Sequence, residues 1–376
     1  MLPGDHPVRL TRGHLADGRE ILFYDDTEPY LSGLSTRRIR DPRPLPPRGL
    51  PPHDAASIRT DPLTGDPVTL AAHRMNRTFL PPVDEDPLAP AGRGTVPSEI
   101  PESSYDVVVF ENRFPSLQGP METLREEPLY HETTPGGRCE VVCFTQDRNG
   151  AFSTLGLHRA RTVLEAWTHR TGELSTRSGV MQVVPFENRG EEIGVTLHHP
   201  HGQIYAYPYL PPHTAAVQRS AASWRHKTGG DLLGDILKVE QDDGARVIAQ
   251  TAHWTAFVPW AAKWPVEFTV MPNRAARDFT ALSDEEKDDL AVIYLDLLAR
   301  LDRFFDGVER LPYIAAWHQA PVRGGEDISR MRLQVFSLLR APGKLKYLAG
   351  SESALGAWIS DTTPERIAAR FREVAQ

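Results

Sequence analysis

The sequence predicts an α+β fold made of two similar halves, each with antiparallel strands and flanking helices. Short strand patterns alternate with long amphipathic helix patterns, and the order strand, strand, helix, strand, strand occurs twice. We therefore expect three parts: an N-terminal arm and hairpin at residues 1–57, a first half at 58–212, and a second half at 213–376.

The elements of the first half follow from hydrophobic periodicity. Apolar residues that recur at helical spacing predict an amphipathic helix over 157–174. Runs of β-branched and aromatic residues predict its strands, at 107–110, 141–144, 180–186 and 199–205. Before them, residues 1–57 are expected to be peripheral: Asp17-Gly18 predicts a hairpin turn, and the basic, proline-rich run 37–52 predicts an extended arm.

The second half repeats this order. Ser283 and Glu286 form a capping box before a long apolar stripe, which predicts a helix. Thr363 and Pro364 predict the start of a last helix. Strands are expected at 254–259, 266–271, 313–317 and 333–339.

Composition restricts the possible functions. The 376 residues are 40% hydrophobic and 24% charged, which supports a globular core. A net charge of −8 argues against binding nucleic acid over a large surface. No apolar run is long enough for a membrane helix and no signal sequence is evident, so we expect a cytoplasmic protein. Cys139 and Cys143 fit one buried strand better than half of a metal site.

Three histidines in the strand pattern that ends the first half are the candidate reactive groups. Because side chains alternate along a strand, His199, His201 and Gln203 are expected on one face. Pro200 restricts the strand to an edge or rim of the sheet. Gly202 is expected to let a substrate approach the backbone closely.

This array suits the chemistry of phosphorus. A neutral imidazole is a good nucleophile at neutral pH, and the amide of Gln203 can hydrogen-bond a phosphate oxygen but cannot exchange a proton with water. Storing a phosphoryl or nucleotidyl group on histidine therefore fits better than hydrolysis. Zinc binding is the alternative, but His198 and His199 face opposite ways and no Cys, Asp or Glu lies nearby in the sequence.

The segment His199-Pro200-His201-Gly202-Gln203 resembles the active-site signature of galactose-1-phosphate uridylyltransferases, members of the histidine-triad superfamily. The resemblance extends from about residue 58 to the end of the chain. Six further segments resemble this family in the same order: 61–65, 73–77, 110–114, 186–190, 317–321 and 344–352.

The resemblance implies transfer of UMP from UDP-glucose to galactose 1-phosphate, a step of galactose metabolism in the Leloir pathway. His201 would carry the uridylyl group, Gln203 would hold its phosphoryl oxygens, and His199 would orient and pack. The resemblance also implies a homodimer with sites near the subunit contact. The remaining implied contacts are Asn112, Asn188 and Thr196 with the nucleotide (Thr196 where the family often has Ser), Arg74 and Arg77 with phosphate, and Lys346 and Glu352 with the sugar phosphate.

The two metal sites of this family are expected to be absent. One uses a Cys-Pro-Leu-Cys segment, a later His and the first signature His; here the segment reads Asp86-Pro87-Leu88-Ala89, Arg148 replaces the later His, and His199 remains. The other uses a Glu and three histidines, of which His318 matches one while 333–336 lacks the others. We therefore expect no metal and no cofactor.

Two alternatives stay open. One is a histidine-triad-type dinucleoside polyphosphate phosphorylase or hydrolase, which shares the nucleophile but must activate phosphate or water. The other is a catalytically silent nucleotide-binding module. The segments around Asn188 and Lys346 favour the transferase over the first, and the intact pair His201 and Gln203 favours an enzyme over the second.

Overall fold

A computed structural model describes residues 1–41, 43, 56–76, 81–92 and 97–375 of the chain. Most strands join one large antiparallel sheet. The strands are β1 (Arg9–His14), β2 (Glu20–Asp25), β3 (Ser57–Thr60), β4 (Pro67–Leu70), β5 (Val107–Glu111), β6 (Gln118–Gly119), β7 (Thr123–Glu126), β8 (His131–Thr133), β9 (Gly137–Cys143), β10 (Gln182–Arg189), β11 (His201–Tyr207), β12 (Val247–Gln250), β13 (Trp254–Phe257), β14 (Val266–Pro272), β15 (Tyr313–His318), β16 (Arg332–Ser337), β17 (Leu339–Ala341) and β18 (Lys344–Leu345). The helices are α1 (Gly156–Ser175), α2 (Pro212–Thr228), α3 (Leu232–Asp243), α4 (Asp284–Asp302), α5 (Gly350–Leu355) and α6 (Pro364–Glu373).

The large sheet shows the duplication. Its strand order is β1-β2-β5-β9-β11-β10-β15-β16-β14-β13-β12, and β6 pairs with β9. The first-half series β5, β9, β11, β10 matches the second-half series β13, β14, β16, β15 in mirrored order, and the halves join where β10 pairs antiparallel with β15. The α+β class and the repeated element order are thus confirmed. The boundaries at residues 57 and 212 stay predictions.

The main core lies between the sheet and the long helix of each half. Trp167 of α1 stacks on Phe152, with ring centres 5.8 Å apart, and also contacts Trp317 of β15. The predicted capping box starts α4: the Ser283 hydroxyl accepts from the Glu286 N–H at 3.3 Å, and the Glu286 carboxylate accepts from the Ser283 N–H at 2.8 Å. Both long amphipathic helices form as predicted, because each buries its apolar stripe on the same sheet.

The N-terminal segment contradicts the expectation of a peripheral position. The hairpin forms, but β2 pairs with β5, and the four central residues of β2, Ile21 to Tyr24, are fully buried. All four are apolar, so they can pack on both faces of the sheet. This continuous apolar run was the feature in the sequence that contradicted a peripheral hairpin. Arg37, at the start of the proline-rich run, is anchored by a buried ion pair with Asp25, Nε to Oδ2 2.9 Å. Most of the remaining run, residues 42 and 44–52, lies outside the described residues.

Several other elements differ from the prediction. Strand β10 runs to Arg189 and β11 begins at His201, so His199 precedes its strand. The sequence reading missed α2, which buries only Thr214 and Ala221 and therefore has a weak amphipathic signal. It also missed α3 and a second sheet of order β4-β3-β8-β7. Within the described ranges, none of the helices is long and apolar enough to cross a bilayer.

Candidate active site

Strand β11 presents its candidate reactive side chains on the face of the sheet away from α1. Its register with β9 pairs His201 with Cys143 and Gln203 with Val141, while Gln203 stands opposite Phe186 of β10. The residues of β11 that point to the opposite face, such as Ile204 and Ala206, pack in the core beneath α1. The predicted common face of His201 and Gln203 is therefore observed.

A backbone carbonyl orients the imidazole of His201. Its Nδ1 lies 2.7 Å from the carbonyl oxygen of His199. Because a carbonyl oxygen can only accept, Nδ1 carries the hydrogen and Nε2 keeps its lone pair. Burial lowers the pKa of His201, although the hydrogen bond to the His199 carbonyl acts in the opposite direction. The ring is therefore held in the neutral, nucleophilic form.

Two cavities meet at His201. The larger, about 430 Å³, is lined by Asn188 together with Arg189 and Arg310. The smaller, about 140 Å³, is lined by apolar and polar residues, among them Phe110, Asn112, Phe114, Thr196, Gln203 and His201 itself. A ligand with two bulky parts joined by phosphate can thus place the phosphate at the imidazole.

Gln203 carries a buried polar group without a visible partner. Among the described residues, no group hydrogen-bonds its Oε1. Buried amide groups are nearly always hydrogen-bonded, and the oxygen and nitrogen of an amide exchange places by a simple flip. The amide is therefore suited to contact a ligand that occupies the smaller cavity.

The structure brings together six of the predicted site residues. His199, His201, Gln203, Asn112, Asn188 and Thr196 all border one of the two cavities. Asn112 also has a local structural role, since its side-chain oxygen accepts from the Phe114 N–H at 2.8 Å.

The other predicted contacts lie elsewhere. Arg74 donates to the Tyr205 hydroxyl at 3.1 Å, two residues beyond Gln203 on the same strand face, but it lines neither cavity. Lys346 and Glu352 pair with each other at 3.4 Å and also line neither cavity. Arg77 lies outside the described residues.

The structure adds polar residues that the sequence reading did not name as site residues. Arg189 and Arg310 line the larger cavity. Glu187 lines it too, and burial raises its pKa to about 7 even though the nearby Arg189 opposes this. Glu187 and Arg189 belong to segment 186–190, which resembles the family, so they could have been predicted from that resemblance. No feature of the sequence pointed to Arg310.

The surroundings of His199 correct another expectation. The sequence offered no carboxylate near the histidines, but His199 Nδ1 lies 2.8 Å from Asp86 Oδ2, and both side chains are buried. His199 Nε2 lies 2.7 Å from both the Tyr105 hydroxyl and the Thr145 carbonyl. The expectation failed because folding joins residues that are far apart in the chain.

The residues at the first family metal position do not fit a metal. Ala89 has no ligand atom, and the guanidinium of Arg148 hydrogen-bonds the Pro82 carbonyl at 3.2 Å. Asp86 and His199 remain, and they bond each other. Two ligands are too few for a structural zinc ion, which needs four.

The second family metal position does not fit either. His318 Nε2 lies 3.2 Å from the amide oxygen of Gln334, and a guanidinium nitrogen of Arg332 lies 3.2 Å from Nε2 of His213. Burial lowers the pKa of Arg332 to about 10, which still leaves it cationic at neutral pH. A cation in this place repels a metal ion.

Among the residues that the structure describes, one further group could hold a metal, and the sequence did not suggest it. Ligand atoms of His6, Asp26 and His158 lie within 4.8 Å of one another. However, Arg159 binds both oxygens of the Asp26 carboxylate at 2.8 Å, and the Thr162 hydroxyl donates to one of them at 2.6 Å. These bonds compete with a metal for the carboxylate.

The prediction for the two cysteines agrees with the structure, whereas the prediction for Gly202 does not. Cys139 and Cys143 are both buried in apolar clusters on one face of β9, and burial raises the pKa of each thiol, which agrees with core packing. Gly202 does not leave room for a substrate. A Cβ there would lie 2.7 Å from the Phe144 ring and 2.8 Å from the Phe186 carbonyl oxygen, so protein atoms fill that space.

The duplicated antiparallel fold, with a neutral histidine at the junction of two cavities that carry polar side chains, defines a class of proteins suited to nucleotidyl transfer. Comparison with known proteins identifies the family. Sequence models of the galactose-1-phosphate uridyl transferase N-terminal and C-terminal domains match residues 50–211 and 217–376. The chain belongs to this family.

Individual relatives agree with this assignment. The galactose-1-phosphate uridylyltransferase of Streptomyces lividans is 42% identical over 98% of both chains. That of Thermotoga maritima is 33% identical over 84% of this chain and 98% of its own. A solved uridylyltransferase structure has a TM-score of 0.75 at 32% identity and covers 85% of this chain and 98% of that one. An ADP-glucose phosphorylase from Arabidopsis thaliana, TM-score 0.64 at 20% identity over 85% of this chain and 98% of its own, shares the fold.

Proposed function

We propose that this chain transfers UMP from UDP-glucose to galactose 1-phosphate and gives UDP-galactose and glucose 1-phosphate. The observation that carries the proposal is the orientation of His201. Its Nδ1–H donates to the His199 carbonyl, so the lone pair of Nε2 is free at the junction of the two cavities. The names of the relatives supply galactose 1-phosphate and the uridylyl group, and UDP-glucose as the donor follows from the family resemblance of the signature.

The reaction proceeds in two displacements at phosphorus. Nε2 of His201 attacks the α-phosphorus of UDP-glucose, the N–P bond forms, and the bond to the bridging oxygen breaks. Glucose 1-phosphate leaves with that oxygen. Galactose 1-phosphate then attacks the same phosphorus, the N–P bond breaks, and the neutral imidazole is regenerated.

The neighbouring polar groups act on the transferring phosphoryl group and the nucleotide. Gln203 hydrogen-bonds a non-bridging oxygen, where charge shifts in the transition state. Asn112 and Thr196 in the smaller cavity and Asn188 in the larger one contact the nucleotide. Because an amide cannot take a proton from water, Gln203 protects the intermediate from hydrolysis better than an acid or base would.

Incubation with UDP-glucose alone tests the proposal. We expect one uridylyl group per His201, acid-labile and base-stable as a phosphoramidate is, with release of an equal amount of glucose 1-phosphate. Subsequent galactose 1-phosphate should discharge the adduct as UDP-galactose. A phosphorylase or hydrolase would instead discharge a nucleotidyl adduct to phosphate or water, and a silent module would form none. Either of these results contradicts the proposal.

The protein is expected to act without a metal or another cofactor. Both family metal positions hold residues that do not fit a metal. After treatment with a chelator and desalting, uridylyl transfer should continue at an unchanged rate, and metal analysis should find less than one zinc or iron per chain. Loss of activity that returns with one added metal would refute this expectation.

We also propose a cytoplasmic homodimer. Two free buried cysteines suit a reducing compartment. The second sheet and its turns expose several large apolar side chains, which suits contact with a second copy: Leu63, Val68, Leu70, Met121, Leu124, Leu129 and Tyr130. A dimer would also account for Lys346 and Glu352, since a site near the subunit contact can receive them from the other chain.

A further inference from the structure

The position of the first family metal is held by hydrogen bonds that join His199 to three separate parts of the chain. Asp86 follows a short helical turn at Val83–Glu85, Tyr105 precedes β5, and Thr145 follows β9. Each lies within 2.8 Å of a ring nitrogen of His199. A structural metal joins distant segments in the same manner, so these contacts can replace its mechanical role.

The Asp86 side chain is fixed on both of its oxygens. Oδ2 accepts from His199 Nδ1, and Oδ1 accepts from the Leu88 N–H at 3.0 Å. The Leu88 carbonyl in turn accepts from the Tyr105 hydroxyl at 2.9 Å. The Asp86 and His199 side chains are only 4% and 0% exposed, so solvent does not weaken their contact. A buried polar network with its groups hydrogen-bonded is rigid.

This network ends at the reactive imidazole. His199 uses its ring to contact Asp86 and its backbone carbonyl to accept the Nδ1–H of His201. A shift of the His199 ring moves this carbonyl, because Pro200 between the two histidines limits backbone freedom. The direction and tautomer of the His201 lone pair thus depend on where Asp86 holds His199.

We propose that Asp86 is a positioning residue that takes over the role of the missing metal: through His199 it holds His201 in the tautomer and direction required for attack. Arg148 also holds the segment that leads to Asp86, because its guanidinium donates to the carbonyls of Pro81 and Pro82 at 3.4 and 3.2 Å. Partners that orient a metal-ligating histidine in this manner are typically worth about 10- to 100-fold in affinity or activity, and we expect the same range for a reactive histidine.

Two substitutions of Asp86, one to alanine and one to asparagine, test this role. The rate measurement rests on the proposed function, because it follows uridylylation. Asp86→Ala should slow single-turnover uridylylation by UDP-glucose about 10- to 100-fold, with little change in the half-saturating concentration. Asp86→Asn should restore most of the rate, because its amide oxygen still accepts from His199 Nδ1–H. Asp278→Ala, which removes another buried carboxylate that lines neither cavity, is the control and should leave the rate constant unchanged.

A spectroscopic arm does not depend on activity. Nitrogen-15 NMR of the histidine rings should show the Nδ1–H tautomer of His201 in the wild type and in Asp86→Asn, and a mixture of tautomers in Asp86→Ala. If Asp86→Ala does not fold, Tyr105→Phe replaces it, with a smaller change in the same direction. An unchanged rate and tautomer in Asp86→Ala, or an Asp86→Asn variant as impaired as Asp86→Ala, overturns the proposal. A wild type with the expected tautomer but no uridylyl adduct would instead refute the proposed function.

Discussion

The two histidines that flank Pro200 have different tasks although both border the cavities: His199 is buried, whereas His201 is half-buried. His201 offers a free Nε2, whereas both ring nitrogens of His199 are occupied by neighbouring groups. His201→Gly should therefore lose uridylylation by UDP-glucose but accept a uridylyl imidazolide, which supplies the missing ring. His199→Ala should be slower than the wild type and still form the adduct. Adduct formation in His201→Ala together with its complete loss in His199→Ala would reverse the assignment.

Glu187 should make stability depend on pH. Its pKa is raised from 4.5 to about 7 by burial, against the opposing effect of Arg189 and with a smaller raising effect from Asp302. As pH rises above 4.5 the unfolded chain loses this proton first, so the folded state loses stability until pH exceeds about 7. The total loss is about 3 kcal/mol, from the size of this pKa shift.

Urea unfolding of the wild type and Glu187→Gln between pH 5 and 8.5 measures this effect. The glutamine variant should lack this part of the decline and should be more stable than the wild type above pH 7. Glu122→Gln, which changes an exposed glutamate, is the matched control and should follow the wild type. Parallel pH profiles for the wild type and Glu187→Gln would contradict the assignment.

At the scale of the element, β11 needs a glycine because of its neighbours in the sheet. A Cβ on Gly202 would meet the Phe144 ring and the backbone oxygen of Phe186, and a backbone atom cannot move aside easily. Gly202→Ala should cost about 1–3 kcal/mol of stability and should slow uridylylation, since His201 is the adjacent residue. Thermal unfolding and the single-turnover rate measure the two effects.

Gly350→Ala provides the control for this substitution. No atom lies within 4 Å of a Cβ built there, and the residue begins α5, where alanine is favourable. Its stability should equal or exceed that of the wild type. If Gly202→Ala behaved in the same way, the packing explanation for this glycine would be wrong.

At the scale of the whole molecule, the expected homodimer has a mass of twice 42.0 kDa, which light scattering at micromolar concentration can measure. Leu124→Glu places a charge on the exposed face of β7 and should shift the mass towards the monomer on dilution. Leu157→Glu, an exposed leucine near the start of α1, should not. A wild-type mass of 42.0 kDa, or equal effects of the two variants, would count against this contact.

The agreement between sequence and structure differs among elements for physical reasons. Helices α1 and α4 carry wide apolar stripes, and α4 also has its capping box, so local periodicity identified both. Helix α2 buries too little apolar surface to show a stripe and was missed. The hairpin of β1 and β2 was recognised from its turn, but its place in the main sheet depends on the pairing of β2 with β5, which no local pattern encodes.

The sequence by itself determined the α+β class, the duplication, the family, and the pair His201 and Gln203, because strand alternation and a contiguous motif are local properties. Only the tertiary structure decided what surrounds that pair. It brought Asp86, 113 residues away in the chain, into hydrogen-bond contact with His199, and it packed Phe144 against Gly202. It also placed Lys346 and Glu352 away from both cavities of the single chain. Such contacts arise when distant segments pack together, and the free energy of that packing depends on residues that share no local pattern.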